Sequence, residues 1–145
     1  MAYWHNWSGR HSVEPDRLQF IRSEEDAAGL ALGAQERGWT IRVAGAGHSH
    51  APLVPNTQVI ADLSALSGVI SADQEHQRAW VRAGTPIYAL GPGLHQHGLA
   101  LHNQGDIDRQ TIGGACATGT HGTGRRARNL SSVVVGARVA TATGE

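Results

Sequence analysis

Two stretches of this chain set small residues beside side chains that can do chemistry. The first is Ala44-Gly45-Ala46-Gly47-His48-Ser49-His50, directly after the run Ile41–Val43. Successive small residues leave backbone N–H groups free to converge on an anion, the nest arrangement that holds phosphates. A dinucleotide fingerprint would need glycine where His50 stands, and a P-loop would need Gly-Lys-Ser/Thr, so neither motif is present. Taken alone, the run also reads as a plain tight turn. The second stretch is Gly113-Gly114-Ala115-Cys116-Ala117-Thr118-Gly119-Thr120-His121-Gly122-Thr123-Gly124. From Thr111 onward it carries one side chain larger than isoleucine, His121. Such a segment cannot build a core by itself. It can let a large flat ligand lie against backbone while the Thr118 and Thr120 hydroxyls bond it. A glycine-rich surface loop is the alternative.

The remaining reactive side chains carry weaker signals. His48-x-His50 and His95-x-His97 have spacings seen in metal sites, with His102 and His121 available to join them. A metal needs a further converging ligand and a second shell to orient the rings. The sequence supplies neither, and positions i and i+2 of a helix do not share a face, so no metal ligand is assigned. His5, His11 and His76 read as surface residues. Cys116, between alanines, reads as a buried inert thiol. Arg125, Arg126 and Arg128 read as a solvated loop, with contact to a ligand phosphate or to a further domain as the alternative.

The elements that must position these loops are partly legible. Met1–Pro15 has aromatics but no period and reads as an arm. Ser23 is a good N-cap, with Glu24, Glu25 and Asp26 in a first turn where the helix dipole favours negative charge. Ala27, Leu30, Ala31 and Ala34 follow at helical spacing, and Gly38 is a natural C′ stop. Trp39–Ala44 and Val59–Leu63 are β-prone, with Pro52, Pro55 and Asn56 marking the loop between them. Val69–Ala72 and Ala79–Ala83 suggest a hairpin around Asp73–Arg78. Pro86 suits the first turn of a helix over Ile87–His97, where Gly91-Pro92-Gly93 predicts a bend or break. Thr111–Thr118 predicts a short, tightly packed helix. Val133–Thr143 reads as the clearest strand of all, ending at the turn signal Gly144-Glu145 without a hairpin partner, which predicts an apolar unpaired edge.

Composition narrows the classes. The 145 residues fit about one domain. Twelve acidic residues balance twelve basic ones, so there is no basic field to draw in nucleic acid. All the basic residues are arginine, which excludes a Schiff-base lysine and a Walker lysine. A single cysteine excludes an internal disulfide framework and multi-cysteine metal sites. No apolar run approaches a membrane span, and Met1–Arg10 is too polar for a signal peptide's apolar segment. The expected setting is soluble and cytoplasmic. Glycine, at 19 residues, is well above the roughly 7% of an average protein.

The run Ile41–Ser49 resembles the pyrophosphate loop of the vanillyl-alcohol-oxidase-type (PCMH-type) FAD-binding domain. Gly98-Leu99-Ala100-Leu101-His102-Asn103-Gln104-Gly105-Asp106-Ile107-Asp108, with Thr111-Ile112-Gly113-Gly114-Ala115 and Thr120-His121-Gly122-Thr123-Gly124, resembles that domain's second flavin segment. The nearest branch is the aldonolactone and alditol oxidases, and the similarity runs from about Asn6 to Glu145. Members of that family continue through the rest of the FAD domain and a substrate domain, so the resemblance implies a chain cut short at its C-terminus. It implies an α+β fold of two subdomains, about Asn6–Leu66 and Ser67–Glu145, with FAD in the cleft between them.

Residue by residue, the resemblance implies that Val43, Ala44, Gly45, Ala46, Gly47 and Ser49 hold the pyrophosphate. His48 stands where many members attach FAD covalently through the flavin 8α-methyl; a non-covalent hydrogen bond is the alternative. Asp106, Thr111, Gly114, Thr118, Gly119, Thr120 and His121 match further FAD contacts, and Gly105 a position beside the flavin where a small residue admits oxygen. The implied function is an FAD-dependent oxidoreductase acting on a CH–OH group of a sugar lactone or polyol. Oxygen is the expected acceptor, and the catalytic base lies outside this chain. A non-catalytic nucleotide-binding module and, more remotely, a zinc hydrolase are the alternatives.

Overall fold

The N-terminal stretch is not an arm. Trp4–His5 (β1) and Ser12–Val13 (β2) pair as a small antiparallel hairpin, with Trp4↔Val13 in register. Trp4 is buried against Ala44 and Ile60. Aromatic burial, not periodicity, orders this segment, and two-residue strands are too short to show a period. The computed structural model describes residues 2–145, which divide into two units: residues up to Ala65 together with Ala137–Glu145, and Leu66–Gly136.

In the first unit, Arg17–Phe20 (β3), Ile41–Ala44 (β4) and Val59–Asp62 (β5) form a parallel sheet in the order β3-β5-β4. Val59 is opposite both Arg17 and Ile41, so β5 is the centre strand. Its Val59, Ile60 and Ala61 are all buried, the continuous apolar pattern expected of a covered parallel strand. Between β3 and β4 runs helix α1 (Glu24–Arg37). Ser23 Oγ accepts from the Asp26 amide at 3.1 Å. At the other end Gly38 takes φ 65° and its N–H turns back to the last-turn carbonyls, a geometry a Cβ would oppose. Leu30 and Ala34 face the core. Both helix ends fall where the sequence places them.

The second unit begins with the hairpin Val69–Asp73 (β6) and Arg78–Val81 (β7), irregular between Val69 and Ser71. Helices Ile87–His95 (α2) and Ile112–Ala117 (α3) follow. Ile87, Leu90, Leu94, Ala115 and Leu130 form the core, with Val69, Ala79, Val81 and Cys116 packed around it.

The break predicted at Gly91-Pro92-Gly93 does not occur: α2 runs through Pro92. Gly91 carries no Cβ to meet the proline ring, which removes part of the usual pre-proline clash. Burial of Ile87, Leu90 and Leu94 on one face then outweighs the single lost hydrogen bond. Pro86 is the N-cap instead of a first-turn residue.

Val133–Thr143 is not a strand either. Leu130–Val133 is a 3₁₀ turn capped by Asn129, whose Oδ1 accepts from the Ser132 amide at 3.1 Å, and the residues after it belong to no strand. Alternating valines give a strand only where a neighbouring strand takes up their N–H and C=O groups, and no described residue pairs with them in a sheet. The valines are exposed, Val135 by 73%. Arg138 instead reaches Glu24, 2.8 Å from Oε1.

Candidate functional site

The turn after β4 is built around Gly47, which takes φ +64°. A Cβ there would sit 3.3 Å from both Asn6 Cα and Trp4 Cζ2. Glycine therefore answers two demands at once: a left-handed backbone and the close approach of the β1–β2 hairpin. The Trp7 amide donates to the Gly47 carbonyl at 3.1 Å, and Asn6 Nδ2 donates to the Ser49 carbonyl at 3.2 Å. His11 Nε2 donates to the His50 carbonyl at 2.8 Å. The backbone is thus tied down on both sides of His48.

His48 itself lies flat on Trp7, with ring centroids 5.3 Å apart and planes 8° from parallel. His50 meets the same indole edge-on at 5.6 Å. His48 Nδ1 is buried and has no hydrogen-bond partner among the described residues. Beside the turn an open cleft of about 240 Å³ is lined by Tyr3, Trp4, His5, Leu18, Gly45, Ala46, Gly47 and Asp62. Of the first predicted group, Gly45, Ala46 and Gly47 therefore face one cleft. Val43 is exposed on β4, and Ala44 is fully buried beneath the turn.

The second predicted group lies wholly in the second unit. A Cβ on Gly105 would be 2.8 Å from Thr120 Cγ2 and 3.7 Å from the His121 carbonyl. The direction a side chain would take from Gly105 is therefore filled by the Thr120 methyl. Gln110 Nε2 donates to Thr120 Oγ1 at 3.0 Å. Gly119 turns the chain out of α3 at φ +67°. The Thr120 amide then returns to the Ala115 carbonyl, while the Thr120 carbonyl receives the Leu130 amide. Thr118 Oγ1 donates back to the Gly114 carbonyl at 3.0 Å, which leaves its oxygen free to accept.

Thr111 is buried, its Oγ1 has no hydrogen-bond partner among the described residues, and a Cβ on Gly114 would stand 3.2 Å from that oxygen. The structure brings Gly105, Thr120 and His121 together and sets Thr111 against Gly114. Asp106 is exposed and joins neither pair. Burial pushes the Cys116 thiol up, consistent with an inert residue. Among the described residues no three His, Cys, Asp or Glu side chains gather at one point.

A family model described as an FAD binding domain matches residues 15–145. The chain belongs to that FAD-binding domain family. L-gulono-1,4-lactone dehydrogenase of Mycobacterium tuberculosis is 41% identical over 142 residues, covering 98% of this chain and 33% of the relative. D-arabinono-1,4-lactone oxidase of Eremothecium gossypii is 34% identical, covering 97% of this chain and 27% of its own length. The chain thus spans about a third of the curated relatives it matches. Among solved structures, chitooligosaccharide oxidase shares the fold at a TM-score of 0.84 with 18% identity, over 94% of this chain and 30% of that one. The fold is the PCMH-type FAD-binding fold, and the cofactor of the domain is FAD.

The residues present fit an FAD-binding domain. The Gly45–Gly47 turn faces a cleft beside a buried imidazole nitrogen with no internal partner, and the Thr111 hydroxyl and Asn103 Nδ2 are further buried polar atoms without one. Buried polar atoms are nearly always satisfied, so the His48 nitrogen in the first unit, and separately the Thr111 and Asn103 atoms in the second, are each open to a ligand atom. Sequence reasoning missed Asn6, Trp7, Asn103 and Gln110. Asn6 and Trp7 carry no period, and their role appears only when the hairpin is folded over the turn. No helix among the described residues is long and apolar enough to cross a membrane.

Proposed function

We propose that the full-length protein is an FAD-dependent oxidoreductase that oxidises a CH–OH group of a sugar lactone or a related polyol, with molecular oxygen as acceptor. The observation that carries the reading is the turn Gly45–Ser49, pinned on both sides of a stacked His48 whose Nδ1 is buried without a partner. The two lactone-oxidising relatives support the substrate class. Bound FAD supplies the two-electron acceptor for the substrate hydride, and oxygen takes the electrons on.

The chain's residues bind and orient. Backbone amides from Val43 to Ser49 face the pyrophosphate, a role suited to a nest of small residues. Thr111, Gly114, Thr118, Gly119, Thr120 and His121 contact the flavin and its ribityl chain, with Asp106 at the segment's exposed end. Gly105, which carries no side chain, is the position at which oxygen approaches the flavin. His48 would hold the flavin covalently, an imidazole nitrogen taking the place of a hydrogen on the 8α-methyl; the methyl hydrogen and the imidazole N–H would leave as protons and the two electrons would go to oxygen.

The test is anaerobic mixing of the full-length, yellow protein with L-gulono-1,4-lactone, D-arabinono-1,4-lactone and an alditol, followed by admission of air. Bleaching of the flavin band by at least one of them and its return with oxygen is the expected result. A flavin that none of the three reduces overturns the substrate class, and one that stays bleached in air overturns the acceptor.

A further inference from the structure

We propose that Trp7 is a positioning residue for His48, fixing the plane of the imidazole so that its nitrogen meets the flavin methyl. This rests on the reading of His48 as the attachment residue. Trp7 touches the loop in two independent ways. Its amide donates to the Gly47 carbonyl at 3.1 Å, which holds the residue before His48. Its indole lies 5.3 Å from the imidazole, centroid to centroid, with planes 8° from parallel, within the range of stacked aromatic pairs.

Asn6 completes the arrangement from the other side. It is 1% exposed, and it bonds the Ser49 carbonyl through Nδ2 while its Oδ1 accepts from the His11 amide at 3.1 Å. Backbone bonds at residues 47 and 49 fix where the His48 Cα stands. They leave the side-chain torsions free, and the indole face packed flat on the ring restrains those. No hydrogen bond does so at Nδ1, which is buried and has no partner among the described residues. A histidine usually has its ring oriented by a hydrogen bond to one nitrogen. Here the stack takes that part and leaves the nitrogen uncommitted. Reactions between bound groups are sensitive to such orientation, and small misplacements lower rates by large factors.

The experiment reloads flavin-free full-length protein with FAD and follows, over time, the fraction of bound flavin that stays on the denatured polypeptide. Trp7→Leu keeps the backbone amide and removes the flat face. Its attachment rate is expected to fall about tenfold or more, and Trp7→Phe, which restores a flat ring, is expected to recover most of it. Attachment by Trp7→Leu at the wild-type rate overturns the proposal, as does an equal loss in Trp7→Phe.

A second measurement needs no change at Trp7 and stands even if Trp7→Leu does not fold. The ring current of an indole shifts the protons of an imidazole stacked on its face upfield, so the His48 ring C–H resonances of the flavin-free protein should lie upfield of the usual histidine range. Their loss in His48→Ala assigns them. His48 resonances at the usual histidine position overturn the stack. Wild-type protein that releases all its FAD on denaturation overturns the attachment reading and this proposal together. That outcome is distinct from failure of the proposal alone, in which the wild type retains its flavin and Trp7→Leu retains it equally well.

Discussion

The two glycine-rich segments use glycine for opposite purposes. In the turn after β4, Gly47 is needed for a left-handed backbone under an aromatic hairpin, and the result is an open cleft. In the second unit the glycines let chain lie against chain. A Cβ on Gly122 would stand 2.6 Å from Asn103 Oδ1 and closer still to the Gln104 carbonyl, and one on Gly113 would stand 3.0 Å from the Ala83 carbonyl. The first segment is held by a distant stretch, through the side chains of Trp4, Asn6 and Trp7 and the Trp7 amide. The second is held by backbone bonds, the Gly113 amide to the Ala83 carbonyl, the Thr120 amide to Ala115 and the Leu130 amide to Thr120. Glycine content alone does not distinguish a ligand nest from a close-packed strap, whereas the identity of what the missing Cβ would meet does.

The sharpest way to break this comparison is Gly122→Ala. The new methyl meets a backbone carbonyl that cannot step aside, so local stability should fall by about 3 kcal/mol. Native-state hydrogen exchange at the Thr120 and Leu130 amides reads the loss. Unchanged protection there would mean that the strap has slack and that the contrast with the first turn is false.

A paired substitution separates conformation from contact. Gly38→Ala meets nothing within 4 Å at φ +65°, whereas Gly47→Ala meets Asn6 and Trp4 at 3.3 Å at nearly the same φ. The first should cost about 1 kcal/mol, the left-handed penalty alone, and the second about 2 kcal/mol, with crowding added. Exchange at the Trp39 amide reports on Gly38 and exchange at the Trp7 amide on Gly47. Equal costs would show that the hairpin does not press on the turn. Smallest, and of opposite sign, is Gly29→Ala. That position is helical, exposed and open, so alanine should stabilise α1 by about 1 kcal/mol. A loss there would mean that the exposed helix face is occupied in the full-length protein.

What was legible in the sequence followed local chemistry. Ser23 and Gly38 mark the ends of α1 because capping is decided within a few residues. The strands β4 and β5 and the β6–β7 hairpin were visible because their apolar runs are short and bounded by turn residues. The turn after β4 was legible as the small-residue run Ala44–Gly47 directly behind a short apolar strand. What failed depended on distant partners. The valines of Val133–Thr143 look like a strand but have no described ladder partner, and Pro92 looks like a break but sits in a helix held by Ile87, Leu90 and Leu94. Asn6 and Trp7 look like part of an arm and become the brace of the loop only through contacts some forty residues away in sequence.

The central claim, that this domain holds FAD with His48 at the point of attachment, is tested most directly by peptide mass analysis. Trypsin cuts after Arg42 and Arg78, so one peptide, Val43–Arg78, carries the whole loop with His48. In the full-length protein that peptide should carry the added mass of the flavin nucleotide on His48, and in His48→Ala it should be unmodified. An unmodified Val43–Arg78 peptide from flavin-replete wild-type protein, or the same added mass persisting in His48→Ala, would contradict the account.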